Sequence, residues 1–301
     1  MIIHPRRSVL YVPGSNPRAI ERARDLPVDC IILDLEDSVA PEAKNAARAQ
    51  VRDAVAGRGF GRREVIVRIN GLDAPWWIED VNAVAPAKPD ALLIPKVSAP
   101  DSLQHVADRL VAMSADHRIR VWAMLETPLA ILNVQAIAAI ARDIETRLTA
   151  FVMGVNDLAR DTRARIVPGR EPMRPWLMIC VAAARAYGID IIDGVYNDIG
   201  NPVGFARECT ESRDMGFDGK TLIHPDQIEV CNRTFTPSAE EIAEARKIIA
   251  AFGLPENRRK GVIWSTATWS SGCTRSRLTG CWRLPRPSRG WPRRAELRFC
   301  R

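Results

Sequence analysis

Short apolar runs alternate with longer helical patterns through most of this chain, and no other feature constrains its fold as strongly. The runs occupy residues 8–13, 30–37, 64–70, 91–97, 120–127, 149–156, 189–196 and 219–224. They are continuous in Val, Ile and Leu, as strands buried on both faces are. Helical segments follow them. Pro41-Glu42 opens one with Pro at the first position and an acid in the first turn. Pro100-Asp101-Ser102 opens another, and residues 129–142 and 175–187 carry two more. Eight such units over about 230 residues match an α/β fold of the (β/α)8 TIM-barrel type, whose usual size is about 250 residues. A doubly wound open sheet is the alternative. The barrel is preferred because Pro13-Gly14, Glu36-Asp37, Arg68, Lys96, Glu126, Asp157, Asp193 and His224 close almost every run. A barrel gathers those ends around one site, whereas an open sheet spreads them along an edge.

The expected organisation is a barrel over residues 1–235, a C-terminal helical extension over 236–263 and a basic tail over 264–301. The net charge of +7 misleads. From Val262 onward there are nine Arg and one acid, Glu296, which leaves the body of the chain near neutrality. The opening residues have no apolar stretch of the signal-peptide kind, and no run approaches the ~20 apolar residues of a membrane helix. The seven Cys include no C-x-x-C, and the four His form no metal-binding spacing. A zinc site and a disulfide framework are therefore not expected, and a cytoplasmic location is.

Two acids stand out. Met124-Leu125-Glu126-Thr127-Pro128 closes one run and Val155-Asn156-Asp157-Leu158 closes the next. On neighbouring parallel strands, Glu126 and Asp157 project from the same end of the sheet. Two carboxylates with room for water and substrate suit Mg²⁺. The plainer alternative pairs Glu126 with a base and makes Asp157 a helix cap. Lys96 invites a Schiff-base reading, but that chemistry would leave the carboxylate pair without a purpose.

Ten stretches carry a family resemblance: RRSVLYVPGSNPR, ILDLEDSVAPEAK, VIVRIN, LLIPKV, MLETPLAI, GVNDLA, PGREP, AARAYGIDIIDGVYNDI, GFDGKTLIHPDQI and FTPSAEEI. In this order they resemble the HpcH/HpaI aldolase/citrate lyase family, in its CitE-like and malyl-CoA lyase branch. The resemblance covers roughly four-fifths of the chain, and it implies a (β/α)8 fold. It also implies Mg²⁺-dependent cleavage or formation of a C–C bond in a hydroxyacyl thioester, with Mn²⁺ as a substitute metal and CoA as part of the substrate. Glu126 and Asp157 look like the metal ligands. Arg68 looks like the residue that holds a substrate carboxylate, which a guanidinium binds in bidentate fashion. An ion pair with Glu36 or Asp37 is the alternative for Arg68, and both hold if the acids orient it. Arg68, Glu36 and Asp37 form the expected catalytic set.

Pro13-Gly14 closes the first run, where a Gly lets a ligand approach the backbone, so Pro13 and Gly14 join Arg68 and Glu126 as substrate-binding candidates. The alternative is a tight βα turn capped at Ser15-Asn16. Arg18 and Arg22 lie on one helical face and are expected to meet CoA phosphates or solvent. Lys96 is expected to bond a neighbouring carboxylate or CoA. Lys220 and His224 are read as CoA-facing, with a buried structural His224 as the alternative.

After Ile263 the pattern breaks. Four of eight Trp and three of seven Cys fall in the last segment, crowded with Ser, Thr, Arg and Pro and without a helical or strand period. The family resemblance implies a strand carrying Asp-Gly and then a long helix. With permitted synonymous codons and one base restored before Trp264, the stretch reads VVDGDMVERLHAVEADRLLALAEAIARL. That restores both elements and points to a frame slip and a poorly ordered tail, with a genuine divergent basic extension as the alternative. In the lyase branch an Asp of that element serves a neighbouring subunit as acid/base, so its loss implies impaired turnover.

The leading expectation is thus a lyase acting on malyl-, citramalyl- or citryl-thioesters, with glyoxylate, pyruvate or oxaloacetate as the 2-oxo acid. The alternative is a thioesterase releasing CoA from malyl-CoA at the same Mg²⁺ site. An acyl-carrier-protein partner stays open, and the resemblance implies a homo-oligomer, trimer or hexamer. A nucleic-acid role for the basic tail is disfavoured by the near-neutral body, and no membrane partner is expected.

Overall fold

A computed structural model of the chain describes residues 5–257, 262–265 and 268–271. Residues 4–236 form one compact unit. Its eight strands are β1 (Ser8–Pro13), β2 (Cys30–Asp34), β3 (Glu64–Arg68), β4 (Ala91–Ile94), β5 (Arg120–Leu125), β6 (Leu148–Met153), β7 (Asp190–Asp193) and β8 (Gly219–Leu222). Each pairs in parallel with the next, and β8 pairs with β1 to close the barrel. The helices between them are α1 (Pro17–Ala23), α2 (Lys44–Ala56), α3 (Trp77–Val84), α4 (Pro100–Ala112), α5 (Pro128–Ala139), α6 (Val155–Thr162), α7 (Arg174–Tyr187), α8 (Pro202–Met215) and α9 (Ile228–Phe235).

Strand side chains alternate between the barrel interior and the helix layer, and both environments are apolar. Val9, Ile32, Ile66, Leu93, Trp122 and Val152 fill the interior. Leu10, Ile31, Val67, Leu92, Val121 and Phe151 face the helices. This double burial is why the runs read as continuous hydrophobic stretches. Pro at the first turn starts α1, α4, α5, α7 and α8, where a missing N–H costs nothing.

The N-terminal mouth is plugged. Arg6 forks onto Glu64 at 2.7 and 2.6 Å, reaches Asp190 at 2.8 Å, and lies over the Trp122 ring. Among the described residues this closes the N-terminal mouth, and the cavity lies at the other end, where the strands deliver their C-termini.

The second unit contains α10 (Ala239–Gly253), started by a reciprocal Ser238–Glu241 cap. It also contains an antiparallel pair, β9 (Val262–Ser265) and β10 (Thr268–Ser271), in which Trp264 stands opposite Trp269. Two strands here correct the expectation of a segment without strand character. Val, Ile, Trp and Thr suit a strand locally even where a longer period is missing. The expected helical extension gives way to strand by Val262. The rest of the tail, with its frame-slip reading, lies outside the described residues. Among the described residues no helix is long and apolar enough to cross a membrane.

The plug yields a prediction. Arg6→Ala strips a buried carboxylate, Glu64, of its cation, so stability should fall by about 3–5 kcal/mol. Chemical denaturation measures this, and an unchanged midpoint would contradict the role given to Arg6.

Candidate active site

Asp34 ends β2 and organises the open mouth. Its carboxylate accepts the backbone N–H groups of Glu36 at 2.9 Å and Ser38 at 3.1 Å. Such side-chain turns stop a strand where an Asp offers the backbone another partner. The same two oxygens take the Arg68 fork, from Nε and Nη2, both at 2.7 Å. Burial opposes ionisation of both groups, but each charge overrides it for the other: the Arg68 guanidinium holds the Asp34 carboxyl below its usual range, and Asp34 raises Arg68. Buried Lys44 donates to the carbonyls of Leu35 and Glu36, both at 2.8 Å, and fixes the loop above.

Glu36 lies 2.9 Å from Arg68 Nη1 and 3.5 Å from Lys96 Nζ. Neither oxygen has a partner in hydrogen-bonding geometry. Burial, outweighing Arg68, pushes this carboxyl up to about 7. Asp37, largely exposed, approaches Nη1 at 3.3 Å. The sequence reading of Arg68 beside Glu36 and Asp37 thus finds its geometry, but Asp34 grips the guanidinium most firmly. The expected run over residues 30–37 hid it: β2 stops at Asp34, three residues earlier.

Glu126 follows β5 directly, because Thr127 caps α5 and Pro128 starts it. Its Oε1 accepts the Lys96 backbone N–H at 2.7 Å. Lys96 makes that bond from a left-handed backbone, at φ 53°. Among the described residues no basic side chain pairs with Glu126, so the plainer alternative for it does not hold. Burial first, then the Glu36 charge, with Asp157 adding to them, pushes Glu126 up to about 8. Gly154 packs against it, and a Cβ there would collide with the Glu126 side chain.

Asp157 sits in the first turn of α6 rather than on a strand, and it pairs with Arg160 at 2.6 Å. It is not the cap, because Gly154 holds that position without a side-chain bond. A cavity of ≈ 370 Å³, lined in part by Tyr11, Pro13, Arg68, Met124 and Asp157, opens between these groups.

Asp34, Glu36, Asp37, Glu126 and Asp157 thus crowd around Arg68 and Lys96, with Arg160 paired to Asp157 and Lys44 behind the β2 loop, so the acids outnumber the bases. Burial, reinforced by that crowding, raises Glu36 and Glu126. A divalent cation relieves the crowding, so the donor set fits Mg²⁺. Among the described residues no third His, Cys, Asp or Glu completes a cluster. Water and ligand oxygens would fill the remaining positions, as Mg²⁺ usually requires.

Other expected site residues fall elsewhere. Gly14 is buried, its N–H donates to the Asp34 carbonyl at 2.8 Å, and a Cβ would strike that carbonyl and Val51. It serves packing rather than a ligand. Lys220 is fully buried. It points into the helix layer, where its amine donates to Asp193 (2.7 Å), Glu208 (2.7 Å) and the Gly194 carbonyl (2.6 Å). Arg170 and Ser212 join the same network. The CoA-facing reading of Lys220 is therefore corrected: an inward-looking motif at a strand end was a structural ion cluster. His224 is about two-fifths exposed and accepts the Asp226 N–H, so it is a helix cap rather than a buried core histidine. Arg18 and Arg22 lie exposed on α1.

The geometry defines a (β/α)8-barrel with one acidic, arginine-centred site at its C-terminal mouth. Residues 7–225 match the family described as HpcH/HpaI aldolase/citrate lyase. A (3S)-malyl-CoA thioesterase from Cereibacter sphaeroides is 48% identical over 259 residues, covering 86% of this chain and 87% of the relative. Human mitochondrial citramalyl-CoA lyase is 34% identical, covering 86% and 79%. The structure of Mycobacterium tuberculosis CitE in complex with magnesium, acetoacetate and coenzyme A superposes with a TM-score of 0.71 at 26% identity, covering 93% and 97%. The chain belongs to the HpcH/HpaI aldolase/citrate lyase family, and is an enzyme of the carbon–carbon lyase kind.

Two predictions follow from the charges. The folded, metal-free protein keeps the Glu126 proton from the ordinary carboxyl value of 4.5 up to about 8. Its stability should therefore fall as pH rises through that window, and Mg²⁺ affinity should rise until about pH 8. Calorimetric Mg²⁺ titrations showing no pH dependence would contradict this, as would unchanged affinity in Glu126→Gln. Lys220→Met should destabilise by about 3–5 kcal/mol by uncovering buried acids, yet leave CoA affinity unchanged. Weakened CoA binding in a folded Lys220→Met protein would restore the discarded reading.

Proposed function

We propose that the protein is a Mg²⁺-dependent lyase that splits a hydroxyacyl-CoA thioester into a 2-oxo acid and a shorter acyl-CoA. The observation that carries this reading is the carboxylate cluster around Arg68, in which Glu126 is buried and, among the described residues, has no basic partner. Glu126 and Asp157 would hold the metal, which supplies Lewis-acid contact to oxygens of the acid portion.

The chain's own groups do the rest. Arg68 offers Nη1 and the free Nη2 hydrogen to the substrate carboxylate, while Asp34 keeps its plane fixed. Glu36, held 2.9 Å from Arg68 with its carboxyl pushed up to about 7, accepts the proton of the substrate hydroxyl as the adjacent C–C bond breaks. The thioester fragment takes a proton back at carbon, which balances the step. Sequence resemblance assigns acid/base work to an Asp-Gly element that this chain lacks, so its turnover is low and depends on Glu36. The four described cysteines are all free and buried, which supports a reducing cytoplasmic setting.

Hydrolysis of malyl-CoA at the same site is the second reading, favoured by the 48% identical thioesterase. Glu36 would then activate water rather than the substrate hydroxyl.

Malyl-, citramalyl- and citryl-thioesters, presented on CoA and on an acyl carrier protein with Mg²⁺ or Mn²⁺, test both readings. A 2-oxo acid plus a shorter thioester supports the lyase, and a free hydroxy acid plus thiol supports the thioesterase. Absence of any Mg²⁺-dependent product would contradict both. Arg68→Lys should weaken 2-oxo acid binding, since a point charge replaces a fork, at a cost of about 1.5–3 kcal/mol. Equal affinity for glyoxylate, pyruvate and oxaloacetate in that variant would remove Arg68 from the role.

A further inference from the structure

Tyr11 lines the cavity and has no part in the reading above. It stands on β1, with its ring centroid 5.0 Å from the Arg68 guanidinium carbon. Its hydroxyl reaches across the barrel to β5, where it meets Met124 Sδ at 3.9 Å. Among the described residues that sulfur is its only hydrogen-bond partner. Arg68 Nη1 meets the same sulfur, also at 3.9 Å. A thioether is a weak acceptor, yet two good donors converge on it in the lining of the cavity. Nη1 carries two hydrogens. It donates to Asp37 at 3.3 Å and to the sulfur, with Glu36 at ion-pair distance, 2.9 Å. The Nε and Nη2 edge is committed to Asp34.

We infer that the Tyr11 hydroxyl and Arg68 Nη1 form a two-donor seat for one carboxylate oxygen of the bound 2-oxo acid. Met124 Sδ occupies that seat when no ligand is present. A carboxylate oxygen is charged and accepts both donors far better than sulfur does. Tyr11 thereby selects an acid over an uncharged carbonyl compound, and its ring keeps Arg68 level through the cation–π contact. The inference rests on the proposed 2-oxo acid site.

Tyr11→Phe tests it, because the ring stays and only the hydroxyl goes. Affinity for glyoxylate, pyruvate and oxaloacetate in the presence of Mg²⁺ should fall about tenfold to a hundredfold, the worth of a hydrogen bond to a charged group. Affinity for CoA should not change. Equal 2-oxo acid affinity in wild type and variant would overturn the inference while leaving the site assignment intact. Failure of the wild type to bind any of the three acids would overturn the site assignment as well. A second measurement needs no variant. The chain has three tyrosines, so an isotope label on the tyrosine ring carbon that bears oxygen gives a simple spectrum. Adding glyoxylate should shift the Tyr11 signal and leave Tyr187 and Tyr196 unmoved. An unmoved Tyr11 signal at saturating glyoxylate would also overturn the inference.

Discussion

The grip of Asp34 on Arg68 is the interaction on which the active end of this barrel depends. It joins the ends of β2 and β3, stops β2 by taking two backbone N–H groups, and fixes the plane of the guanidinium. With that edge committed, only one side of Arg68 is left to face the cavity. Glu36, Asp37, Tyr11 and Met124 all arrange themselves around that side. A buried charge pair adds little net stability by itself. Its value here is geometric, because it sets a fork in place before any ligand arrives.

The two mouths of the barrel show opposite uses of buried charge. At the N-terminal end Arg6 is matched by Glu64 and Asp190 and closes the interior. In the helix layer, Arg170 and Lys220 are matched by Asp193 and Glu208. At the C-terminal end the acids outnumber the bases, and Glu36 and Glu126 are pushed up to about 7 and about 8. In the scaffold clusters every carboxylate touches a basic side chain. Among the described residues Glu126 at the C-terminal mouth has no such partner, and strained protonation equilibria of that kind collect at functional sites.

Most of the fold was legible in the sequence. Strands buried on both faces announce themselves as continuous apolar runs, and all eight runs contain the observed strands or nearly so. Their C-terminal ends were less legible. Runs read to Asp37, Asn70 and Asn156 end at Asp34, Arg68 and Met153. At those ends the chain leaves the ladder to present side chains, and apolar pattern no longer reports backbone geometry. That is why Asp34 was missed and why Asp157 was placed on a strand rather than in the first turn of α6. A period-two count from Cys30 would have put Asp34 on the same face as Ile32, pointing into the barrel. Lys220 was misread for the complementary reason. One sequence cannot show whether a polar strand residue points inward or outward, and the register with Asp193 decides it. Tyr11 gave no signal at all, since a tyrosine in an apolar run reads as core.

The central claim is that excess carboxylate at the C-terminal mouth holds one divalent cation against the ligand. Titration of the wild-type chain with Mn²⁺, followed by electron paramagnetic resonance, measures this without relying on turnover. The account predicts one bound Mn²⁺ per chain, displaced by Mg²⁺, with a spectrum that changes when glyoxylate or oxaloacetate is added. Absence of a stoichiometric, Mg²⁺-displaceable site, or a bound spectrum indifferent to both acids, would contradict it.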